Sequence, residues 1–319
     1  MINDRTKIIS LATIVSTDHR YRITTNEEID SLLVSIPVVG LMHPPVLREK
    51  EGVYIIVAGF RRVAACRRLG WAEMAARIVD RDTTDLACAQ VAIADNTLQR
   101  PLNLIEQSRS INLLTGFFED TKDLAETASK LGLPSNSSLI GKIQRLCHLP
   151  SAIQQHMLSG SIALSIALEL DRLEPAIGIV FATLFTTLKL GLNKQREIMT
   201  LVKEISRRED IPIDQLLTSA ELRDILEDEG LEIAQKTGRI RAYLKQRRFP
   251  RIADAKETFE KNVKELKLGE GTQLIPPRDF EGRTYTLKMQ FEDLEALRAH
   301  SDGLDTLIQH PKLGTILKR

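Results

Sequence analysis

The sequence predicts an α+β N-terminal domain, an all-α middle domain and a small, mostly helical C-terminal region with one or two strands. Three observations predict this. Up to Arg100, short β-branched runs alternate with helical stretches. From Asn103 to about Gln235 nearly every segment has helical patterning, punctuated by Pro134, Pro150, Pro175 and Pro212. Beyond the turn-rich Gly269-Glu270-Gly271 and Pro276-Pro277, the alternating run Tyr285 to Phe291 reads as a strand. The domain boundaries implied are 1–101, 102–235 and 236–319.

Element by element, Ile8 to Ile14 is expected as a strand and Asn26 to Ile36 as a helix. Thr25 or Asn26 would cap that helix, with Glu27 and Glu28 in its first turn. Strands are expected over His43 to Leu47, Val53 to Ala58 and Ala75 to Val79. Leu86 to Gln99 reads as a helix that stops at Pro101. Asn103-Leu104-Ile105-Glu106 has the form of a capping box, with asparagine in the cap position. The most apolar stretch, Ile177 to Leu188, is too short for a membrane span and reads as a buried helix. Gly238 to Phe249 is a basic helical stretch carrying Arg239, Arg241, Lys245, Arg247 and Arg248. An amphipathic helix to about Leu268 and a final helix over Glu292 to Ile308 complete the chain.

The run Tyr54-Ile55-Ile56-Val57-Ala58-Gly59-Phe60-Arg61-Arg62 carries the most chemistry. An apolar strand ends at a glycine, and two arginines open a helix. Backbone N–H groups and the helix dipole at such a turn favour an anion. Arg61 and Arg62 add planar, permanently charged donors that suit phosphate oxygens. A phosphate or nucleotide pocket is therefore expected in the N-terminal third.

Bulk composition narrows the classes. The formal net charge is only +1 with 27% charged residues, so any basic surface must be local. Aromatic content of 4% argues against a nucleic-acid surface built on stacked rings. The three cysteines, Cys66, Cys88 and Cys147, lie far apart without zinc spacing and read as buried reduced thiols. The six histidines form no metal-binding motif. The N-terminus lacks a secretory apolar region, so a cytoplasmic protein without membrane attachment is expected.

In the middle region, Thr121 to Pro134 resembles the first helix and turn of a helix-turn-helix. Thr121 would cap it, Leu124, Ala125, Ala128 and Leu131 share one face, and Gly132 allows the turn. Ser135 to Leu146 reads as the second helix. Its small polar start, Ser135, Asn136, Ser137 and Ser138, suits entry into a DNA major groove. Lys142 and Arg145 would neutralise phosphate charge. A plain helical hairpin inside a helical domain has the same pattern.

Together these motifs resemble the ParB family of chromosome and plasmid partition proteins, from about Ile8 to about Leu173. The resemblance rests on five features in the family's order. These are Arg20-Tyr21-Arg22-Ile23 before a helix ending Ser35-Ile36, the turn Gly40 to Val46, and Gly59-Phe60-Arg61-Arg62 at the G-E-R-R box. They continue with Asp95-Asn96 to Arg100 at the E-N-x-x-R box and the helix-turn-helix running to Leu149-Pro150. It implies a ParB/sulfiredoxin-like N-terminal fold that binds CTP and Mg²⁺, clamps double-stranded DNA as a homodimer and hydrolyses CTP slowly. It further implies nucleotide contacts from Arg20, Gly59, Arg61, Arg62, Asp95 and Asn96, with Asp95 and Asn96 near the metal. A ParA-type ATPase partner and association with the nucleoid are implied in the same way. Two departures stand out. Phe60 replaces the family glutamate, and Asp95 is a shorter acid than the usual glutamate. The catalytic residues are therefore unassigned. A DNA-binding adaptor with a degenerate nucleotide pocket, or a nucleotide-dependent phosphotransferase on the same fold, are the alternatives. The last third does not match the family's usual C-terminal dimerisation domain.

Overall fold

The computed structural model describes residues 2–317. It contains an N-terminal mixed sheet with helices, a central all-α region and a small C-terminal helical region with a two-stranded antiparallel sheet. The chain divides into one compact unit up to Leu192 and a second from Asn193.

The first unit opens with β1 (Ile2–Ser10), a 3-10 turn over Leu11–Thr13 and β2 (Ile14–Val15). The strand expected over Ile8 to Ile14 is thus broken in two. The two halves go to opposite edges of one five-stranded sheet. β1 pairs antiparallel with β5 (Glu73–Val79), and β2 runs parallel to β4 (Val53–Ala58). Between them lie α1 (Asp30–Val39) and β3 (Val46–Lys50), giving the strand order β1-β5-β3-β4-β2. At the break Leu11 is buried and its N–H donates to the Ala72 carbonyl. The unit continues with α2 (Phe60–Arg68), directly after β4, and α3 (Asp85–Thr97). Ile9, Ile14, Leu47, Ile56, Val63, Cys66, Met74 and Ile78 form the core between sheet and helices. Burying such β-branched and aliphatic side chains stabilises the sheet by roughly 1.5–3 kcal/mol each.

Helix α1 begins at Asp30, four residues later than expected, because Thr25 and Asn26 take other partners. The Thr25 N–H and hydroxyl go to Glu106, and the Asn26 side chain accepts from the Glu28 N–H.

The helical region of this unit comprises α4 (Leu104–Thr115), α5 (Thr121–Lys130), α6 (Ser137–Gln144), α7 (Ser151–Leu158), α8 (Leu164–Leu170) and α9 (Pro175–Thr187). The capping box is present: Asn103 accepts from the Glu106 N–H and Glu106 accepts from the Asn103 N–H. Helix α9 buries Phe181 and Phe185, as its apolar sequence predicts.

The second unit holds α10 (Leu192–Glu209), α11 (Ile213–Leu217), α12 (Ala220–Glu227), α13 (Ile233–Arg248) and α14 (Pro250–Leu266). β6 (Thr272–Ile275), β7 (Thr286–Met289), α15 (Leu294–Gln309) and α16 (Pro311–Leu317) follow. β6 and β7 pair antiparallel, and Leu266, Leu274, Leu307 and Ile316 form a small core beside them. Among the described residues, no helix is long and apolar enough to cross a membrane.

Candidate nucleotide cavity and helix-turn-helix

Gly59 is the hinge of the first candidate site. It ends β4 with φ +93° and caps α2, a left-handed conformation that L side chains seldom adopt. Space is equally restrictive. A Cβ there would lie 2.8 Å from the Pro45 Cβ and 3.1 Å from the Arg62 Cζ. The glycine lets the chain turn while Pro45 and Arg62 close around it. The first N–H groups of a helix have no partner within it, so the start of α2 is an anion-receptive end.

The cavity in front of this turn has a volume of ≈ 610 Å³. Gly59, Arg61, Arg62, Asp95 and Asn96 all line it, as do Tyr21, Arg77 and Arg100. Arg62 donates to the Asp95 carboxylate at 3.0 Å and to the His43 carbonyl at 2.6 Å, strapping the 43–44 turn to the end of α3. Arg61 donates through Nε to the Glu28 carbonyl at 2.7 Å. Behind the wall, Arg100 makes a two-pronged pair with Glu106, both contacts at 2.7 Å. Four arginines and one acidic residue, Asp95, therefore line the cavity, with Glu106 behind, and the wall keeps a positive balance.

Glu106 is fully buried. Burial pushes its carboxyl pKa up, but the Arg100 hydrogen bonds, the Thr25 and Asn103 N–H groups and the Arg100 charge outweigh it. The result is a value lowered to about 2. Arg109, on the same helix, donates to the carbonyls of Ile23 and Thr24. Ile23 and Thr24, part of the cavity wall, are thus fastened to α4, as is Thr25 beside them.

Of the residues singled out from sequence, Arg20 does not line the cavity. It is exposed and pairs with Asp18, and its neighbour Tyr21 lines the cavity instead. Tyr21 is buried, and its hydroxyl donates to Asp85 at 3.3 Å, where Arg48 also pairs. Burial, helped by Cys88 and Asp85, pushes the Tyr21 phenol up to about 12 against the opposing Arg48, so it stays a neutral donor. Phe60 lies between the cavity and a smaller recess, its ring stacked on His19 at 6.1 Å.

The donor set fits a metal ion only in part. Asp95 offers a carboxylate already bonded to Arg62, and the Asn96 amide donates from Nδ2 to the Ala92 carbonyl at 2.8 Å. Among the described residues no group of three His, Cys, Asp or Glu gathers to hold an ion. One carboxylate and one amide suit a Mg²⁺ that arrives on a triphosphate and takes most of its ligands from phosphates and water.

Arg77 escaped the sequence reading, and Arg100 entered it only as the end of the box that starts at Asp95, with no contact assigned. Arg77 was recoverable in principle. In β5, Met74, Ala76 and Ile78 are buried, so Arg77 must face the other side. The parallel pairing of β3 and β5 then sets Arg77 beside Val46, on the cavity wall.

The second candidate site is the pair α5 and α6. Asp120, not Thr121, caps α5, accepting from the Lys122 N–H at 2.8 Å. Gly132 turns the chain at φ +76°, and Asn136 caps α6 by accepting from the Leu139 N–H at 2.9 Å. Leu124, Ala125 and Ala128 of α5 and Ile140 and Ile143 of α6 are buried. Ser135, Asn136, Ser137, Ser138 and Lys142 are exposed. Arg145 follows α6 in a 3-10 turn and pairs with Asp171. On its other side α6 is held by α4: the Ser108 hydroxyl donates to the Gln144 carbonyl at 3.0 Å.

Comparison with known proteins follows this geometry. The model of the ParB N-terminal domain family matches residues 3–97. The nucleoid occlusion protein of Oceanobacillus iheyensis is 33% identical over 174 residues, which is 54% of this chain and 58% of that protein. The probable chromosome-partitioning protein ParB of Chlamydia pneumoniae is 33% identical over 161 residues, 49% of this chain and 54% of that protein. This chain therefore spans little more than half the length of these relatives. A crystal structure of C-terminally truncated ParB from Caulobacter crescentus complexed with CTP-gamma-S is 25% identical. It covers 57% of this chain and 99% of that one, with a TM-score of 0.26. Residues 3–97 thus match the ParB N-terminal domain family, and the similarity to nucleoid occlusion and chromosome-partitioning proteins extends beyond that domain.

Proposed function

We propose that the protein is a nucleotide-responsive DNA-binding protein acting in DNA partition or in related organisation of the nucleoid. The observation that carries the nucleotide half is the cavity at Gly59, with a helix start and four arginines on its wall. A triphosphate is the ligand class that such a wall suits. Cytidine as the base, and Mg²⁺ as its ion, rest on the resemblance to ParB proteins. Gly59, Arg61 and Arg62 would hold phosphates, and Asp95 and Asn96 would face the metal. Arg20 would reach the nucleotide only after leaving Asp18. The DNA half rests on α5 and α6, with Ser135, Asn136, Ser137, Ser138, Lys142 and Arg145 toward the duplex. Residues 1–101 would then serve the nucleotide, 102–235 the DNA and 236–319 self-association as a homodimer in the cytoplasm, with a ParA-type ATPase as partner.

Calorimetry with CTP, ATP and GTP, with and without duplex DNA, tests this reading. CTP should bind in preference to the others, and Arg61→Ala should weaken it at least about tenfold. Absence of any triphosphate binding would overturn the nucleotide half. A second reading, a DNA-binding adaptor with a degenerate pocket, draws on Phe60 at the family's carboxylate position. It wins if duplex binding persists, falls steeply with salt and ignores CTP.

A further inference from the structure

The outward face of α6 has an unusual chemistry for a helix that would read DNA. The polar groups at its two ends are committed. The Asn136 side-chain oxygen is engaged as the helix cap, and Arg145 is paired with Asp171. The other exposed residues within α6 are Ser137, Ser138, Leu139, Gly141 and Lys142. Leu139 is 36% exposed, although its neighbour Ile140 is buried at 4%. Gly141 has open space around it, and Ser138 is short, so the leucine stands out from a low surface. Lys142 lies three residues on, on the same side of the helix. An apolar side chain presented by a helix in the major groove finds one apolar target on the base edges, the C5-methyl group of thymine.

Resting on the DNA reading given above, we propose that Leu139 contacts a thymine methyl group and is a specificity-determining residue of α6. Lys142 supplies the adjacent charge, to a phosphate or to a guanine edge. The code of this helix is therefore set largely by shape and methyl contact, with one point charge beside it.

The test starts with selection from a randomised duplex library by the full-length chain. In the selected duplex, each thymidine is then replaced singly by deoxyuridine, which removes the methyl and leaves the hydrogen-bonding edge intact. One replacement should weaken wild-type binding roughly fourfold, the loss expected for one buried methyl group. Leu139→Ala should bind the thymidine and deoxyuridine duplexes equally. Leu139→Met, which keeps an apolar reach, should retain the difference, and Lys142→Ala should weaken both duplexes alike. If the wild type selects a duplex but no thymidine replacement matters, or if Leu139→Ala keeps the full penalty, the inference is overturned. If no duplex is selected at all, the DNA reading falls and takes this inference with it.

Discussion

Two independent constraints meet at Gly59. Its φ of +93° disfavours any L side chain, and the nearest atoms leave no room for a Cβ. Gly59→Ala is therefore expected to lower stability by about 1–3 kcal/mol and to push Arg62 off Asp95. Thermal melts and CTP titrations of that variant should both shift. Beside it, Phe60 places an apolar ring, stacked on His19, where family members carry a carboxylate. Nothing in that ring can orient water. The wild type should bind CTP but release phosphate at close to the background rate, and Phe60→Glu should raise that rate. A steady phosphate-release assay checks both variants; brisk wild-type turnover would contradict the account. That Gly59, Arg61 and Arg62 share one cavity wall was legible in the sequence because they lie within four residues, at a strand end, a turn and a helix start. Arg100 was visible as part of a motif, but not its place in the wall, because a loop residue acquires that only through a buried partner, Glu106, on the next helix. Arg20 and Tyr21 show the same limit. The entry loop was legible, but which neighbour turns inward depends on Asp85 and Arg48 across the fold.

Among the elements, α13 carries a basic run that is largely neutralised. In the structure it lies along the acidic side of α10. Arg241 and Lys245 pair with Glu197, Arg248 with Glu204 and Arg247 with Glu209, each at 2.7 Å at its closest. Such exposed and half-buried pairs contribute only about 0.2–1 kcal/mol each, but they consume the charge that DNA would need. Arg247→Ala and Arg248→Ala should therefore leave the salt dependence of duplex binding unchanged. Lys142→Ala, on α6, should reduce the slope of log K against log salt by about 1. Fluorescence anisotropy across a salt series separates the two outcomes. The elements themselves were mostly legible, since helical periodicity and proline punctuation are local signals. Their ends were less so. Asp120 and Thr121 are both good caps, and only the backbone path into α5 selects Asp120. The start of α1 moved because Thr25, an equally plausible cap, is drawn away by Glu106.

At the scale of the whole N-terminal unit, the order of the sheet was beyond local reading. Nothing in the run Ile8 to Ile14 says that its halves pair with β5 and with β4 at opposite edges. That choice belongs to long-range packing. The same is true of the link between cavity and helix-turn-helix, which runs through α4. One side of α4 carries Glu106 and Arg109, which hold residues 23–25 and Arg100. The other carries Ser108 and Asn112, which hold Gln144 at the end of α6. Glu106 is the most costly of these groups to disturb, because it is buried, charged and bonded on both oxygens. Its carboxyl pKa is depressed in the folded state, to about 2 from an ordinary 4.5. The unfolded chain therefore takes up the proton first. The contribution, on the order of 3 kcal/mol, is complete above the unfolded value and is lost as the pH falls from about 4.5 through about 2. Glu106→Gln removes the charge but keeps the shape. It should cost about 2–3 kcal/mol at neutral pH and flatten the acid limb of the stability profile between those two values. Urea melts of both proteins from pH 7 down to pH 3 measure the difference. Parallel acid limbs in wild type and variant would show that this carboxylate does not hold the cavity wall to α4.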